Sequence, residues 1–264
     1  MEEELIIQQV ISHRRLQPSL GTRKLMIMLQ DFAVQHQIKL GRDALFGLLR
    51  DHDLLIRKRK RNVQTTFSKH RFKKYKNLIR NYEPLAPNLL WVSDITYLKT
   101  PGGFVYLSLI TDAYSKQIMG YSLSKTLEAK SCVRALKMAL SNCRDVSNLI
   151  HHSDRGIQYC CSEYIEILES NSIKISMTEN GDPLENAIAE RVNGILKTEL
   201  LQQTHTHFAQ AYCSVAKAIL IYNSLRPHSS CEMLTPLAAH HKEGKLKKHW
   251  KNYYKKREVE MADP

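Results

Sequence analysis

Two segments, IHHSDRG (150–156) and NAIAERVNGILK (186–197), decide how this chain folds, because each exposes one acid at the edge of a regular element. Asp154 follows the short apolar stretch Asn148 to Ile150 and precedes Gly156, the pattern of a buried strand that ends in a turn. Asp154 is therefore expected at the C-terminal edge of a strand. In the second segment Ile188, Val192 and Ile195 recur at helical spacing, while Asn186, Glu190, Asn193 and Lys197 recur on another face. That polar face is placed to look across at Asp154.

A third acid lies upstream in LWVSDITYL (90–98), where β-branched and aromatic residues surround Asp94. The interior of a strand is a poor place for a carboxylate unless something binds it. Carboxylates converging from two strands and a helix make a site for hard divalent cations, which prefer oxygen ligands and offset the mutual repulsion of the acids. Mg²⁺ is the expected ion. Each acid also has a plainer reading: Asp94 as a strand-end hydrogen-bonding residue, Asp154 as a turn former, Glu190 as a solvated helix charge. Three further acids are weaker candidates. Asp112 ends a strand, Asp182 sits in a Gly-Asp-Pro turn that favours Asp for backbone hydrogen bonding, and Glu185 lies about 140° of helical rotation from Glu190.

Four ordered motifs give the acids a context: WVSDITYL (91–98), HSDRGIQY (152–159), NAIAERVNGILKTE (186–199), and YNSLRPHSS (222–230) followed by Thr235 and Pro236. In these the chain resembles the second-frame (OrfB-type) transposases of bacterial insertion sequences, whose core is of the DDE, retroviral-integrase type with a ribonuclease H-like fold. The 35 residues between Asp154 and Glu190 match that family's spacing. Ser93 and Cys231 depart from it, standing where relatives often have Thr and Leu. The resemblance implies that Asp94, Asp154 and Glu190 are catalytic and hold two Mg²⁺ ions, with Mn²⁺ able to substitute. It implies nicking at insertion-sequence ends and transfer of the freed 3′-OH to another phosphodiester, commonly through a circular DNA intermediate. It also implies a first-frame (OrfA-type) partner carrying a further helix-turn-helix and a coiled coil, since this chain has no leucine-zipper heptads.

The composition agrees with a polyanionic partner. Lys and Arg total 39 against 26 Asp and Glu, a formal charge of +13, and the excess is clustered. From Arg57 to Arg80 there are eleven Lys or Arg and no acid, interleaved with Phe67, Phe72 and Tyr75; from Lys242 to Arg257 there are eight against one Glu. Missing acids and interleaved aromatics fit a path for double-stranded DNA better than a merely solvated surface. Arg57, Lys58, Arg59, Lys60, Arg61, Arg71, Lys73 and Lys74 are the contacts expected from the first cluster. The six cysteines form no CxxC pair and lie at no zinc-ligand spacing from paired histidines, so reduced thiols are expected. There is no leader-like N-terminus and no apolar run of membrane-spanning length, so a soluble intracellular protein without a membrane partner is expected; the resemblance implies the bacterial cytoplasm, at the nucleoid.

The order of elements follows from periodicity. Residues 1–56 read as three helices, near 3–17, 22–34 and 42–52, punctuated by Gly21 and Gly41. They are similar to the helix-turn-helix segment that precedes the core in this family, with Arg42, Asp43 and Arg50 able to face DNA; a three-helix spacer is the alternative, since Gly47 weakens the presumed recognition helix. Residues 57–87 read as a basic linker with too few aliphatic residues for a core of its own. From 88 to 204 the pattern gives strands near 90–98, 104–110, 117–123, 148–152 and 173–177, and helices near 127–142, 162–169 and 184–201. This βββαβαβα order is an α/β core, a mixed five-stranded sheet flanked by helices; that it is ribonuclease H-like is carried by the resemblance.

Residues 205–264 give a helix over 208–223 and a basic tail. Near the acids, His152, Arg155, Asn193 and Lys197 are candidates for contact with substrate phosphates, His152 having a satisfied buried histidine as its alternative. Arg226 and His228 in the closing motif are either structural or DNA contacts. A homo-oligomer on DNA is expected because two element ends must be cut. Two other classes share parts of the pattern: a ribonuclease H-like nuclease, which needs no such basic arms, and a non-catalytic DNA-binding remnant, which should have lost an acid.

Overall fold

The computed structural model describes residues 2–56, 71–179, 186–202, 206–247 and 249. Its centre is a five-stranded mixed sheet built from β1 (Leu90–Thr100), β2 (Gly103–Asp112), β3 (Ile118–Ser124), β4 (Ile150–Ser153) and β5 (Lys174–Met177), in the order β3-β2-β1-β4-β5. The first three strands form an antiparallel meander. β4 and β5 then add in parallel on the other side of β1, each reached through a helical crossover as parallel strands require.

Alternating side chains send two apolar sets to opposite faces. On one face, Leu98, Leu107, Leu109 and Leu123 meet Val192, Ile195, Val215, Ile219 and Tyr222 from α8 (Ala187–Ile195) and α9 (Phe208–Ser224). On the other, Trp91, Ile110 and Met119 meet Val133, Leu136, Ala139, Tyr159, Tyr164 and Leu168 from α5 (Ala129–Ser141), α6 (Ile157–Cys160) and α7 (Ser162–Ser170). α5 approaches β3 so closely that a Cβ on Gly120 would lie 2.1 Å from the carbonyl oxygen of Ala135. Only glycine fits there.

Both outer strands are covered, as edges must be to avoid pairing with other chains. The Asn223 side chain accepts from the Ile118 N–H and donates to its carbonyl, both at 3.0 Å, and Asn142 donates to the Met119 carbonyl at 3.0 Å. At the β5 edge runs the second half of the segment read as a basic linker. Leu78 donates its N–H to Ser176 Oγ at 2.8 Å, and Ile79 packs beside Leu90, Val92 and Ala189. The docking has a simple cause: Ile79 finds apolar partners on the core, and the Leu78 N–H finds an acceptor at its edge. The first half of the linker, with Arg57, Lys58, Arg59, Lys60 and Arg61, lies outside the described residues, as do Asp182, Glu185 and the basic tail from residue 250 onward.

The N-terminal region contains α1 (Glu2–Leu16), α2 (Thr22–Met28), α3 (Gln30–Gln35) and α4 (Arg42–Asp51), packed around Ile6, Val10, Leu20, Leu25, Leu29, Leu45 and Leu49. The expected single helix over 22–34 is two helices that meet at Leu29. The helix expected over 184–201 also differs: α8 begins at Ala187 and passes into a π-helical turn, Leu196–Leu200. That turn ties the N-terminal region to the core. Glu199 accepts from Lys24 Nζ at 3.2 Å and, in bidentate fashion, from Arg226 Nε and Nη2 at 2.8 and 2.9 Å. A last short helix, α10 (Pro236–Ala239), closes against α9.

Candidate active site

Asp94 sits in the middle of β1, opposite Leu109 on β2. Its side chain emerges on the sheet face that carries α8, where Asn193 Nδ2 donates to Oδ2 at 2.7 Å and the Ile95 N–H donates to Oδ1 at 2.9 Å. Asp154 follows β4 directly, on the strand adjacent to β1. The Gly156 N–H donates to Asp154 Oδ1 at 2.9 Å, and a Cβ at 156 would stand 2.9 Å from that same oxygen. Glycine here lets the chain turn tightly around its own acid. Glu190 lies in the first turn of α8, whose entry is anchored to the sheet by Asn186 Nδ2 donating to the Ser93 carbonyl at 2.9 Å.

The electrostatics join these groups. Burial first, and then the Asp154 charge, push the Asp94 carboxyl up to about 7; Glu190 adds to the rise, while the hydrogen bonds from Asn193 and Ile95 oppose it. A carboxyl raised by desolvation and by a like charge marks a site arranged for chemistry more often than one arranged for stability. The gathering is incomplete, however. Among the described residues no three His, Cys, Asp or Glu side chains stand close enough together to grip one ion. The first two acids are held by strands and close-range hydrogen bonds, the third by a helix that follows directly on residues 180–185.

Lys197 reaches the same sheet face. Its Nζ donates to Thr96 Oγ1 at 3.1 Å and lies 4.3 Å from the centre of the Tyr97 ring. Arg155, half-buried, follows Asp154 at the rim. Arg42 and Arg50 are exposed on α4, Arg42 beside Asp43 at 2.8 Å; Arg71, Lys73 and Lys74 are exposed on the segment leading to the β5 edge.

Four expected phosphate contacts are placed otherwise. His152 is fully buried, its Nδ1 2.8 Å from Ser176 Oγ on the neighbouring strand β5. Asn193 is buried with its amide committed to Asp94. Arg226, 3% exposed, is spent on Glu199, and His228 is buried between Tyr222 and Ser230, at 3.2 Å from each. In this structure these side chains are buried and engaged with neighbouring protein groups. Asp112 is likewise structural: fully buried, it accepts from the N–H groups of Asn88 and Ser115 and from Ser115 Oγ.

Sequence reading missed the support beneath Asp94. On the opposite sheet face, His151 Nε2 lies 2.7 Å from Ser93 Oγ and 2.9 Å from Tyr164 OH. Burial, and then neighbouring His152, lower the His151 pKa to about 3, so this histidine is a neutral hydrogen-bonding brace. The available signal was the pairing of polar Ser93 and His151 at alternate positions on two strands that are otherwise apolar on that face.

Comparison with known proteins is specific. Two family profiles, both described as integrase core domain, match residues 84–183 and 171–236. The insertion element IS600 uncharacterized 31 kDa protein of Shigella sonnei is 34% identical over 240 residues, covering 90% of this chain and 87% of that one. Transposase InsF for insertion sequence IS3A of Escherichia coli is 33% identical over 168 residues, covering 60% of this chain and 56% of that one. The fold is similar to that of a simian T-cell lymphotropic virus intasome chain (TM-score 0.53, 19% identity, 95% of this chain and 80% of that chain).

Proposed function

The chain belongs to the insertion-sequence transposases with an integrase-type core, and on that premise we propose that it cuts DNA at the ends of its element and joins the freed 3′-OH to a target phosphodiester. The observation that carries this reading is the electrostatic coupling of Asp94 to Asp154 and Glu190, three acids from two adjacent strands and one helix. The donor set fits a hard divalent cation. All three candidates are carboxylates, and the penalty that drives Asp94 up to about 7 is one that a bound cation offsets.

Asp94, Asp154 and Glu190 would hold Mg²⁺, or Mn²⁺ in its place, as a two-ion site. When bound, such ions supply an activated attacking oxygen and a stabilised leaving oxygen in phosphodiester chemistry. The chain's own residues do the remainder. Asn193 fixes the Asp94 carboxylate and favours its ionised form. The Gly156 N–H holds one oxygen of Asp154, which orients the other. Lys197 brings a positive charge beside the acids, where it balances substrate phosphate, and Arg155 stands at the rim to do the same. Bringing Glu190 to the two strand acids requires a local shift at the start of α8, since the three do not stand close enough to grip one ion.

The substrate we assign is double-stranded DNA, both as element end and as target, with the exposed cations of α4 and of residues 71–74 contributing to its path. Cutting two ends requires a homo-oligomer on DNA, and a first-frame product is the partner that would add end recognition. The place of action is the bacterial cytoplasm, at the nucleoid; among the described residues no helix is long and apolar enough to cross a membrane. A ribonuclease H-like nuclease is disfavoured by relatives named for insertion elements, and a silent remnant by the presence of all three acids. Strand transfer with labelled element ends in Mg²⁺, with and without the first-frame product, tests the reading. Joined products that disappear on Asp154→Asn are expected; cleavage of RNA in hybrids without any DNA joining would overturn it.

A further inference from the structure

The two strand acids stand where the backbone ladder between their strands has run out. Among the described residues, β4 pairs with β1 at Leu90, Trp91 and Val92, through Ile150, His151 and His152, and no further. The next carbonyl on β1, that of Ser93, accepts instead from Asn186 Nδ2 at 2.9 Å. Continuing the register by two residues puts Asp94 opposite Asp154, about 7 Å past the last pair. β1 is fixed at this point from its other side, by the pairing of Asp94 with Leu109 on β2. The charge on Asp154 opposes that on Asp94, and such repulsion favours strands that splay.

A side-chain bridge spans this gap. Ser93 points to the sheet face opposite Asp94, and its Oγ lies 2.7 Å from His151 Nε2 on β4. Tyr164 OH, from α7, lies 2.9 Å from the same nitrogen, and its ring meets the imidazole edge-on with centres 5.4 Å apart. All three residues are 1% exposed or less, in the apolar layer that contains Trp91, Leu149, Leu168 and Ile173. Stability alone does not call for such a trio, since apolar side chains of similar shape fill a buried layer at least as well. Hydrogen bonds add direction to packing, and here they fix one separation of β1 from β4 directly beneath the acids.

We propose that Ser93, His151 and Tyr164 are positioning residues for the two strand acids: their bridge holds β1 and β4 at the separation from which Asp94 and Asp154 bind a divalent cation together. The proposal rests on the reading of these acids as a metal site. It gives the bridge no contact with the ion or with DNA, since the trio lies on the other face of the sheet. Loss of the bridge therefore weakens the ion and slows the chemical step, as loss of a group behind a metal ligand does, and leaves DNA affinity where it was.

The test follows Mn²⁺ binding to the full chain without DNA, by water-proton relaxation. Beside it are measured the rate of joining at saturating element-end DNA and the DNA concentration that gives half that rate. Ser93→Ala, which removes the hydroxyl, and Tyr164→Phe, which keeps the ring and its packing, should each bind Mn²⁺ about ten-fold more weakly and join about ten-fold more slowly, with the half-saturating DNA concentration unchanged. Ser93→Thr, which keeps a hydroxyl, should match the wild type. Thermal unfolding in metal-free buffer separates a merely structural role. Variants that melt lower but bind Mn²⁺ like the wild type overturn the proposal, as does a Ser93→Thr that melts like the wild type yet binds like Ser93→Ala. If Ser93→Ala does not fold, Tyr164→Phe and Ser93→Thr decide the matter. A wild type that binds no Mn²⁺ overturns the metal reading of the acids and the bridge's role with it, whereas equal binding in every variant overturns the bridge alone.

Discussion

At the scale of single residues, the cost of gathering acids is plainest at Asp94. Its pKa of about 7 lies well above the ordinary aspartate value. The folded protein therefore binds a proton that the unfolded chain has released, and stability falls as pH rises from about 4 to about 7. Asp94→Asn removes that dependence and is expected to stabilise the metal-free protein at pH 7.5 by about 1–2 kcal/mol, read as a higher melting temperature. The same substitution, like Asp154→Asn or Glu190→Gln, should cut cleavage and joining by on the order of 10²- to 10³-fold or more while leaving DNA binding intact. Full activity in any one of the three would remove that acid from the site.

Asn193 offers a finer test at the same scale. Its amide hydrogen bond favours the ionised Asp94, so Asn193→Ala should raise that carboxyl further and move the acid limb of the pH–rate profile to higher pH. An unmoved limb would mean that some other group titrates.

Among the elements, the contact between α5 and β3 and the beginning of α8 matter most. Gly120→Ala forces α5 away from the sheet, since the new Cβ would meet the Ala135 carbonyl at 2.1 Å. A loss of about 1–3 kcal/mol is expected in denaturant unfolding, without a change in the pH profile of whatever activity remains. The element order was legible in the sequence because strand and helix periods are local: β1, β2, β3, β4 and β5 fall within a few residues of their expected positions. Less legible were the break at Leu29, the π-helical turn at Leu196–Leu200 and the docking of residues 76–79 on β5. Each of these depends on what lies opposite in space. The π-helical turn includes Glu199, which meets Lys24 from one end of the chain and Arg226 from the other.

That cluster belongs to the scale of the whole molecule, since it fastens the N-terminal region to the core. Burial works against the Glu199 charge, but Arg226 and then Lys24 prevail and hold its carboxyl below the usual value. A depressed acid contributes stability above its unfolded pKa and loses it as pH falls through the folded one, so the junction should loosen in acid, below about pH 4.5. Glu199→Gln leaves the Arg226 guanidinium buried without its counter-charge and is expected to cost about 3 kcal/mol, with faster proteolysis between residues 17 and 42 than in the wild type. Equal proteolysis rates would show that the apolar contacts alone hold the region in place.

DNA binding is also a property of the whole surface. The triple change Arg71→Ala, Lys73→Ala, Lys74→Ala should lower the slope of log affinity against log salt by about 2–3; an unchanged slope would place the DNA path elsewhere. By itself the sequence determined which residue types recur at which spacing, and so the strand and helix order, the three acids and the basic segments, because these are written in local periods and in the cost of burying a charge. Only the tertiary structure decided which polar side chains are buried and which stay exposed. His152, Asn193, Arg226 and His228 have the chemistry of phosphate contacts, but distant segments close over them, whereas Tyr97 and Phe104 stay exposed where the sheet runs out of neighbouring strands.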